Sequence, residues 1–178
     1  MLVESFRLVT ARLIPGALRP KQLVLVVCLI LAGCGGSSEP VKPPTRVAGP
    51  GFSFRAPSGW QVQRSDGKVG AIHDSELVQV ASFRLLKPYR SALFDRVEGE
   101  LSTRMRQLAQ QTGGTVSAPR TVTTGGVRSH SYTVTVGDHV DEYTFVLRGR
   151  REYQLLCRRK ASHGDDACRQ LLTSFATT

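Results

Sequence analysis

No apolar run in this sequence is long enough to span a bilayer as a helix. The longest covers residues 23–31, with two small residues after it, whereas a membrane-spanning helix needs about 20 apolar residues. A run of this length fits the core of a secretory signal, which has positive charge before it. Arg12, Arg19 and Lys21 supply that charge. The sequence therefore predicts an exported protein without a helical membrane anchor.

The residues after this run resemble the processing site of bacterial lipoproteins. Leu31-Ala32-Gly33-Cys34 matches the lipobox that the lipoprotein signal peptidase cleaves. The resemblance implies cleavage before Cys34, acyl chains on the thiol and amine of Cys34, and an extracytoplasmic protein anchored to the cell membrane by lipid. An ordinary signal peptide with an incidental cysteine is the alternative. We expect residues 1–33 to be a lipoprotein signal peptide.

Cysteine is scarce, since the chain has only four. Cys28 falls in the predicted signal and Cys34 is the predicted lipidation site, which leaves Cys157 and Cys168. Two thiols without matching histidine spacing are too few for a structural zinc site. Because disulfides persist in the compartments that exported proteins reach, we predict a disulfide between Cys157 and Cys168. It would stabilise the fold by about 2–3 kcal/mol.

Acidic residues are also in short supply. The chain has 24 Lys and Arg against 14 Asp and Glu, a formal charge of +10, and without residues 1–33 the counts are 20 and 13. A basic balance favours anionic partners such as phospholipid headgroups or an acidic protein. We expect no nucleic-acid partner, because an exported lipoprotein does not meet nucleic acid. The alternative is that the arginines only solvate the surface.

Catalytic signatures are missing as well. The sequence has no Gly-x-Ser-x-Gly nucleophile elbow, no phosphate-binding glycine loop and no dinucleotide fingerprint. His73, Asp74 and Ser75 are triad residue types, but neighbours on an extended chain point in opposite directions. We therefore expect no catalytic residues, no cofactor and no enzymatic activity.

One acidic cluster has the ligand types of a calcium site. Asp138, His139, Asp141 and Glu142 surround a predicted hairpin turn, and carboxylate oxygens are calcium ligands. The cluster lacks the periodicity and the glycine of a calcium loop. A solvated turn is the preferred interpretation, and no metal site is predicted.

Beyond the predicted signal, the composition divides the chain in two. Proline, glycine and serine dominate residues 34–50, which predicts a flexible tether. Residues 51–178 are enough for one domain with its own core. Alternating apolar residues predict strands around Phe52 and Trp60 and over residues 69–72 and 77–85.

The clearest element in this domain is a long amphipathic helix. Ser91 is the predicted N-cap, Gly113 and Gly114 the predicted stop, and Glu100 with Arg104 a predicted ion pair one turn apart. Five apolar residues recur at three- and four-residue steps and form its predicted buried face. They are Phe94, Val97, Leu101, Met105 and Leu108.

Strands return after the helix. Residues 115–122 predict one strand, and residues 129–160 predict a three-strand meander with turns at Gly137 and Gly149. A short helix closes the chain, capped by Ser162 or Asp165. Its predicted inner side consists of Cys168, Leu171, Leu172 and Phe175. The order predicts an α+β domain, an antiparallel sheet with a long central and a short C-terminal helix packed on it.

Several of these segments together resemble the PsbP/Mog1-like domain of many actinobacterial lipoproteins. The signposts are FSFRAPSGW, the central helix, the paired meander, and YQLLC with the second cysteine and LLTSF at the end. The resemblance covers nearly all of residues 51–178 and implies a curved antiparallel sheet with flanking helices. Members of that group act mostly as assembly factors, adaptors or binding proteins, and they share no catalytic residues that transfer to this chain.

Two basic clusters are the candidate contact sites for an anionic partner. The first is Arg148, Arg150 and Arg151 at the last hairpin turn, and the second is Arg158, Arg159 and Lys160 at the far end of the next strand. At about 3.3 Å per residue they lie on the order of 20 Å apart, so they form two patches. Ordinary solubility is the alternative role.

These observations predict a lipid-anchored protein of the cell envelope that acts as a non-catalytic interaction or assembly module at the membrane surface. Its partner would be an envelope protein or an anionic lipid. A carrier or sensor of a small lipid or glycolipid is the alternative, and an envelope hydrolase is the third. A carrier needs a cavity beside the long helix, an adaptor needs an exposed patch, and a hydrolase needs converging polar groups.

Overall fold

A computed structural model describes residues 43–178, so the predicted signal peptide and Cys34 lie outside the described residues. Five strands precede the long helix: β1 (Thr45–Gly49), β2 (Phe52–Ala56), β3 (Gln61–Ser65), β4 (Lys68–His73) and β5 (Glu76–Arg84). A single 3-10 turn, Ser91–Leu93, leads into helix α1 (Phe94–Thr112). The second half contains β6 (Thr115–Val116), β7 (Arg120–Thr124), β8 (Val127–Val136), β9 (His139–Arg148), β10 (Arg151–Lys160), α2 (Asp166–Ser174) and β11 (Ala176–Thr177).

Two antiparallel sheets are built from these strands. The large sheet has the order β3-β4-β5-β10-β9-β8-β6, with β7 also paired to β8, and the small sheet has the order β1-β2-β11. Strands β8, β9 and β10 are hydrogen-bonded in sequence, as the predicted meander requires. The predicted α+β class is confirmed, with an antiparallel sheet, a long central helix and a short C-terminal helix.

The large sheet buries its two faces under different elements, because successive side chains of a strand point to opposite sides. On one face, Val146 and Leu155 join a core with Phe52 and Leu171, which the small sheet and α2 provide. On the other face, Phe145 and its neighbours pack under α1. The second core consists of Leu101, Met105, Tyr132, Phe145 and Leu147. The two helices therefore lie on opposite faces of the large sheet.

Cys157 and Cys168 form a disulfide with a Cα–Cα distance of 5.3 Å, as the sequence predicts. Cys157 is on β10 and Cys168 is on α2, so the bond fixes the short helix to the centre of the large sheet. The loop that it closes contains the turn after β10, and closing it restricts the unfolded chain.

Helix α1 buries the predicted face, but its ends differ in detail from the prediction. Phe94, Leu101 and Met105 are buried, and Gly113 ends the helix in the left-handed conformation at φ 68°. Leu93 rather than Ser91 occupies the N-cap position, and no side chain caps it. The predicted Ser91 cap is therefore wrong, because the 3-10 turn already satisfies the first amides.

The predicted ion pair on α1 is also wrong. Arg104 does not pair with Glu100 but donates to Oε1 of Glu152 on β10 at 2.8 Å. Glu152 is nearly buried, so pairing it offsets the cost of removing its charge from water. An exposed pair along the helix would contribute only a few tenths of a kcal/mol, about 0.3–0.5.

Three segments depart from the predicted boundaries. The predicted tether is wrong over residues 45–49, which form β1 in register with β2. The predicted strand 115–122 is interrupted around Pro119, which has no N–H to donate to a ladder. Asp165 precedes α2, but its side chain makes no capping hydrogen bond, and Ser162 lies outside the helix.

Candidate functional site

A pocket of about 510 Å³ opens at the C-terminal end of α1, on the face of the large sheet that this helix partly covers. Its floor comes from β8 and β9, one wall from the last turns of α1, and the other wall from β10 and the β4–β5 turn. The lining residues are Ser75, Leu108, Thr112, Val134, Val136, His139, Asp141, Tyr143 and Arg158.

The pocket exists because α1 ends before it covers the sheet. Gly113 turns the chain out of the helix, and Gly114 then donates to the Ala109 carbonyl at 2.8 Å and leads into β6. Helix α1 therefore packs mainly over β8 and β6. The apolar side chains of Leu108 and Tyr143 remain only partly buried at its edge.

An ion pair forms the polar wall of the pocket. Arg158 and Asp141 are opposite each other on β10 and β9, and two guanidinium nitrogens of Arg158 donate to the two carboxylate oxygens at 2.7 Å each. The Asp141 side chain is 7% exposed, while that of Arg158 is 44% exposed. The hydrogen bonds to Asp141 raise the pKa of Arg158 above its usual value. This two-point pairing satisfies a nearly buried carboxylate.

Tyr143 brings a hydroxyl to the same wall. Burial raises the pKa of Tyr143, and the charge of Asp141 raises it further, whereas Arg158 lowers it. The phenol is therefore neutral in the physiological range, so its hydroxyl is available to donate a hydrogen bond and is not a base.

Among residues 43–178, the pocket side chains that could serve as nucleophile or base are not hydrogen-bonded to each other. The Thr112 hydroxyl donates to the Leu108 and Ala109 carbonyls of its own helix. Nδ1 of His139 lies 2.7 Å from Oδ1 of Asp138, and within residues 43–178 no hydrogen bond joins Ser75 to His139. The apolar floor, together with a polar wall whose charges are already paired, suits the binding of an apolar or amphipathic group.

The acidic cluster at the β8–β9 turn is divided among separate partners. Asp138 pairs with His139 and Asp141 with Arg158, while Glu142 lies 3.7 Å from Arg159. In the part of the chain that the structure describes, no group of three His, Cys, Asp or Glu side chains is arranged to hold a metal ion. Each carboxylate is used in a side-chain pair instead.

The residues His73, Asp74 and Ser75 form the β4–β5 turn. Asp74 has a positive φ of 52°, Nε2 of His73 lies 3.7 Å from its carboxylate, and the His73 ring stacks on Trp60 at 6.0 Å. Ser75 alone of the three lines the pocket. The geometry is that of a polar turn rather than of a catalytic triad.

The two predicted basic clusters lie at opposite ends of β10. At the pocket end, Arg158 and Arg159 face Asp141 and Glu142, and Lys160 is half-buried. At the other end Arg148, Arg150 and Arg151 are exposed, and within residues 43–178 none of these three forms an ion pair. The structure thus separates the clusters, as the strand length predicts, and gives them different surroundings.

Sequence reasoning considered a cavity beside the long helix but did not predict which residues line it, because it assigned Leu108 to the buried face of a helix and Val134, Val136 and Tyr143 to ordinary strands. The one signal available was position: Leu108 is the last apolar residue of the helical pattern before the glycine stop. A helix that ends above a sheet leaves its last apolar side chain at an edge.

Across residues 43–178, no helix is both long and apolar enough to cross a membrane. No protein-family model and no curated protein matches the chain.

Solved structures similar to the chain include two proteins of stated source. The solution structure of cyanobacterial PsbP (CyanoP) from Synechocystis matches with a TM-score of 0.57 and 16% identity, over 83% of this chain and 99% of that protein. A crystal structure of a protein from Bacteroides thetaiotaomicron matches with a TM-score of 0.45 and 11% identity over 76% of this chain. The chain spans about half of that protein, 48% of its length. The first likeness shows a PsbP-like fold, which the sequence resemblance implied.

Proposed function

We propose that this chain, a PsbP-like domain, is a non-catalytic interaction module held at the surface of the cell membrane by acyl chains on Cys34. The observation that carries the proposal is the pocket at the C-terminal end of α1. It is open on one side, its floor is apolar, and its charged wall is already paired. A partner can therefore bury apolar area there without separating Arg158 from Asp141.

The open side of the pocket supports a protein partner rather than an enclosed ligand. The sheet continues past Arg158 to Leu77, its neighbour in register on β5, and a shallow groove lined by Leu77, Ile72 and Gln79 follows on the same side of β5 and β4. A segment of another protein that enters beside Leu108 has further surface to contact along this face.

The membrane location rests on the lipobox resemblance at Cys34. Ten residues, 35–44, separate Cys34 from the first residue of β1, and ten residues span at most about 35 Å. An acylated Cys34 would thus keep the domain within one protein diameter of the bilayer. Stable anchoring needs two or more acyl chains, which a lipidated cysteine carries.

A site-specific photo-crosslinker tests the contact site. We would place the crosslinking amino acid at Thr112, which lines the pocket, or at Gln110, which is exposed on the same turn of α1. The full chain would be expressed in its own cells and irradiated there. We expect a discrete crosslinked protein from position 112 and none from position 110. Equal products from both positions, or none from either, would contradict the proposal.

The anchor is tested separately by Cys34→Ala. The variant should lose processing and acylation, and cell fractionation should no longer find a processed, acylated protein in the membrane. If Cys34→Ala still gave a processed protein that stays in the membrane, the anchoring half of the proposal would fall while the pocket half stood.

A second candidate function, carriage of a small lipid or glycolipid, is favoured by the size of the pocket. Its volume of about 510 Å³ lies within the range of about 300–1,000 Å³ typical of small-molecule sites. A small-molecule mass that stays with the purified protein and is lost in Thr112→Arg, but not in Gln110→Arg, would favour the carrier over the interaction module.

A further inference from the structure

The end of the large sheet far from the pocket is built from two loops that are held together by backbone hydrogen bonds. The amide of Leu85 donates to the Arg150 carbonyl at 2.9 Å, and that of Tyr89 donates to the Gly149 carbonyl at 2.7 Å. The segment after β5 therefore lies against the β9–β10 turn. We call this surface the basic end, and its exposed cations are Arg84, Lys87, Arg90, Arg148, Arg150 and Arg151.

Three arginines of the basic end stand side by side on adjacent strands. Arg151 of β10 is in register with Arg84 of β5 on one side and with Arg148 of β9 on the other. Like charges directly opposite on neighbouring strands destabilise a sheet. Arg151 donates to Ser82 Oγ and Arg148 to Thr177 Oγ1, both neutral acceptors. The three positive charges thus remain without a carboxylate among residues 43–178.

The large exposed apolar side chains of the described chain lie in the same segment. They are Phe83, Leu86 and Leu93, with exposed fractions of 43%, 96% and 37%. Leu86 in particular projects from the loop with almost no protein around it. Apolar side chains at a projecting tip, surrounded by Lys and Arg, are typical of proteins that lie on a membrane surface.

We propose that the basic end docks on an anionic phospholipid bilayer. Leu86 enters the boundary between headgroups and acyl chains, while Arg84, Arg148 and Arg151 bind lipid phosphates. The phosphates supply the negative charge that the row of arginines lacks, and the planar guanidinium groups match phosphate oxygens.

The chemistry of this surface favours a bilayer over an acidic protein. A stable protein interface buries about 800 Å² on each side around well-packed apolar anchors. Leu86 has no neighbouring apolar wall that could form such a packed centre, because it is almost completely exposed. Docking on a bilayer requires only a shallowly inserted apolar side chain and positive charge, and the basic end has both.

Docking on a bilayer is compatible with the proposed function. The docking proposal rests on that proposed function for the location of the protein at the membrane. Arg151 and Arg158 are seven residues apart on β10, which places the pocket roughly 23 Å from the basic end at about 3.3 Å per residue. The pocket would therefore lie clear of the lipid and stay accessible to a partner.

Vesicle binding tests the docking without using the lipid anchor. The chain from residue 34 onward, carrying Cys34→Ser, would be mixed with vesicles of phosphatidylcholine alone or with about one third phosphatidylglycerol. We expect binding only to the anionic vesicles and weaker binding at high salt.

Each Lys or Arg at such a surface contributes about fivefold to partitioning. The triple variant Arg84→Gln, Arg148→Gln, Arg151→Gln should therefore bind about a hundredfold more weakly, and Leu86→Ser should lower binding at both salt concentrations.

A matched triple variant provides the control. Arg46→Gln, Arg55→Gln and Arg106→Gln remove three exposed positive charges at positions outside the basic end, so binding should fall only slightly. Equal losses in the two triple variants would overturn the proposal. So would binding to soluble poly-glutamate in place of vesicles, which would identify an acidic protein as the partner. Because the anchor is absent, failure here leaves the proposal for Cys34 unaffected.

Discussion

The two ends of strand β10 carry similar runs of basic residues, yet the fold treats them differently. At the pocket end, Arg158 is paired through two hydrogen bonds with a nearly buried aspartate. At the basic end, Arg151 stands between two further arginines. At the pocket end, the positive charge of Arg158 stabilises the wall of the pocket. At the basic end, the positive charges are exposed to solvent.

Cross-strand register creates this difference, because it decides which side chains become neighbours. Arg158 meets Asp141 because β9 and β10 pair with a turn at residues 149 and 150, and the same register places Arg148 opposite Arg151. A count of basic residues along the chain contains no such information. The three arginines of this row therefore have like charges as neighbours and, among residues 43–178, no ion pair.

The largest expected effect comes from the disulfide, which braces the pocket end but not the basic end. Replacing both Cys157 and Cys168 by Ser should lower the free energy of unfolding by about 2–3 kcal/mol, because the unfolded chain regains the entropy of the closed loop. Denaturant unfolding measures the loss, and wild type with a reductant should match the variant. Unfolding curves that coincide with the oxidised wild type would contradict this.

The next effect comes from the ion pair in the pocket wall. Arg158→Gln should cost about 1–3 kcal/mol, because it leaves the Asp141 carboxylate nearly buried without its cation. Adding Asp141→Asn should restore most of the loss, since an amide needs no counter-charge. Thermal unfolding of the four proteins gives the coupling. If the double variant were as unstable as Arg158→Gln, the ion pair between Arg158 and Asp141 would not be the interaction that stabilises this wall.

Tyrosine ionisation gives a third, smaller contrast between the ends. Burial raises the pKa of both Tyr143 at the pocket end and Tyr89 at the basic end, but Asp141 adds to the rise at Tyr143 while Arg128 opposes it at Tyr89. The stability that these neutral tyrosines contribute is fully present below their pKa in the unfolded chain, about 10. It is lost as the pH rises through their higher pKa in the folded protein. Asp141→Asn should lower the pKa of Tyr143 and leave Tyr89 unchanged in a tyrosinate absorbance titration of single Tyr→Phe variants. A shift at Tyr89 instead would contradict the assignment.

The smallest expected effect is a gain in stability at the basic end. Arg84→Gln removes one of three neighbouring like charges and should stabilise the fold by about 0.3 kcal/mol at low salt. The gain should vanish at high salt, because exposed charges are screened. Lys68→Gln, an exposed position on the neighbouring strand β4, is the control and should show no such gain. A loss in Arg84→Gln would mean that the row of arginines is not repulsive.

Local patterns predicted the elements whose partners are close in sequence. Helix α1 was predictable because its apolar residues repeat every three or four positions and two glycines end it. The β8–β9–β10 meander was predictable because each of its two turns contains a glycine. These glycines, Gly137 and Gly149, both have positive φ. The disulfide followed from cysteine count and the predicted compartment.

Features that depend on distant partners were not predictable in this way. Strand β1 lies between prolines and glycines and is a strand only because β2 pairs with it. Arg104 has an acidic residue one turn away, yet it pairs with Glu152 because the fold buries that carboxylate. The lining of the pocket depends on where helix α1 ends over the sheet, and the row of Arg84, Arg148 and Arg151 depends on strand register, so neither set of neighbours could be predicted from a local pattern.

Native mass spectrometry of the protein, extracted gently from its own membrane, tests the lipid anchor and the binding role of the pocket together. We predict a chain that begins at Cys34, carries the mass of its acyl chains, and keeps a stoichiometric protein companion that Thr112→Arg releases. An unprocessed or unacylated chain, or a companion that Thr112→Arg does not release, would contradict a lipid-anchored interaction module that binds through the pocket at the end of α1.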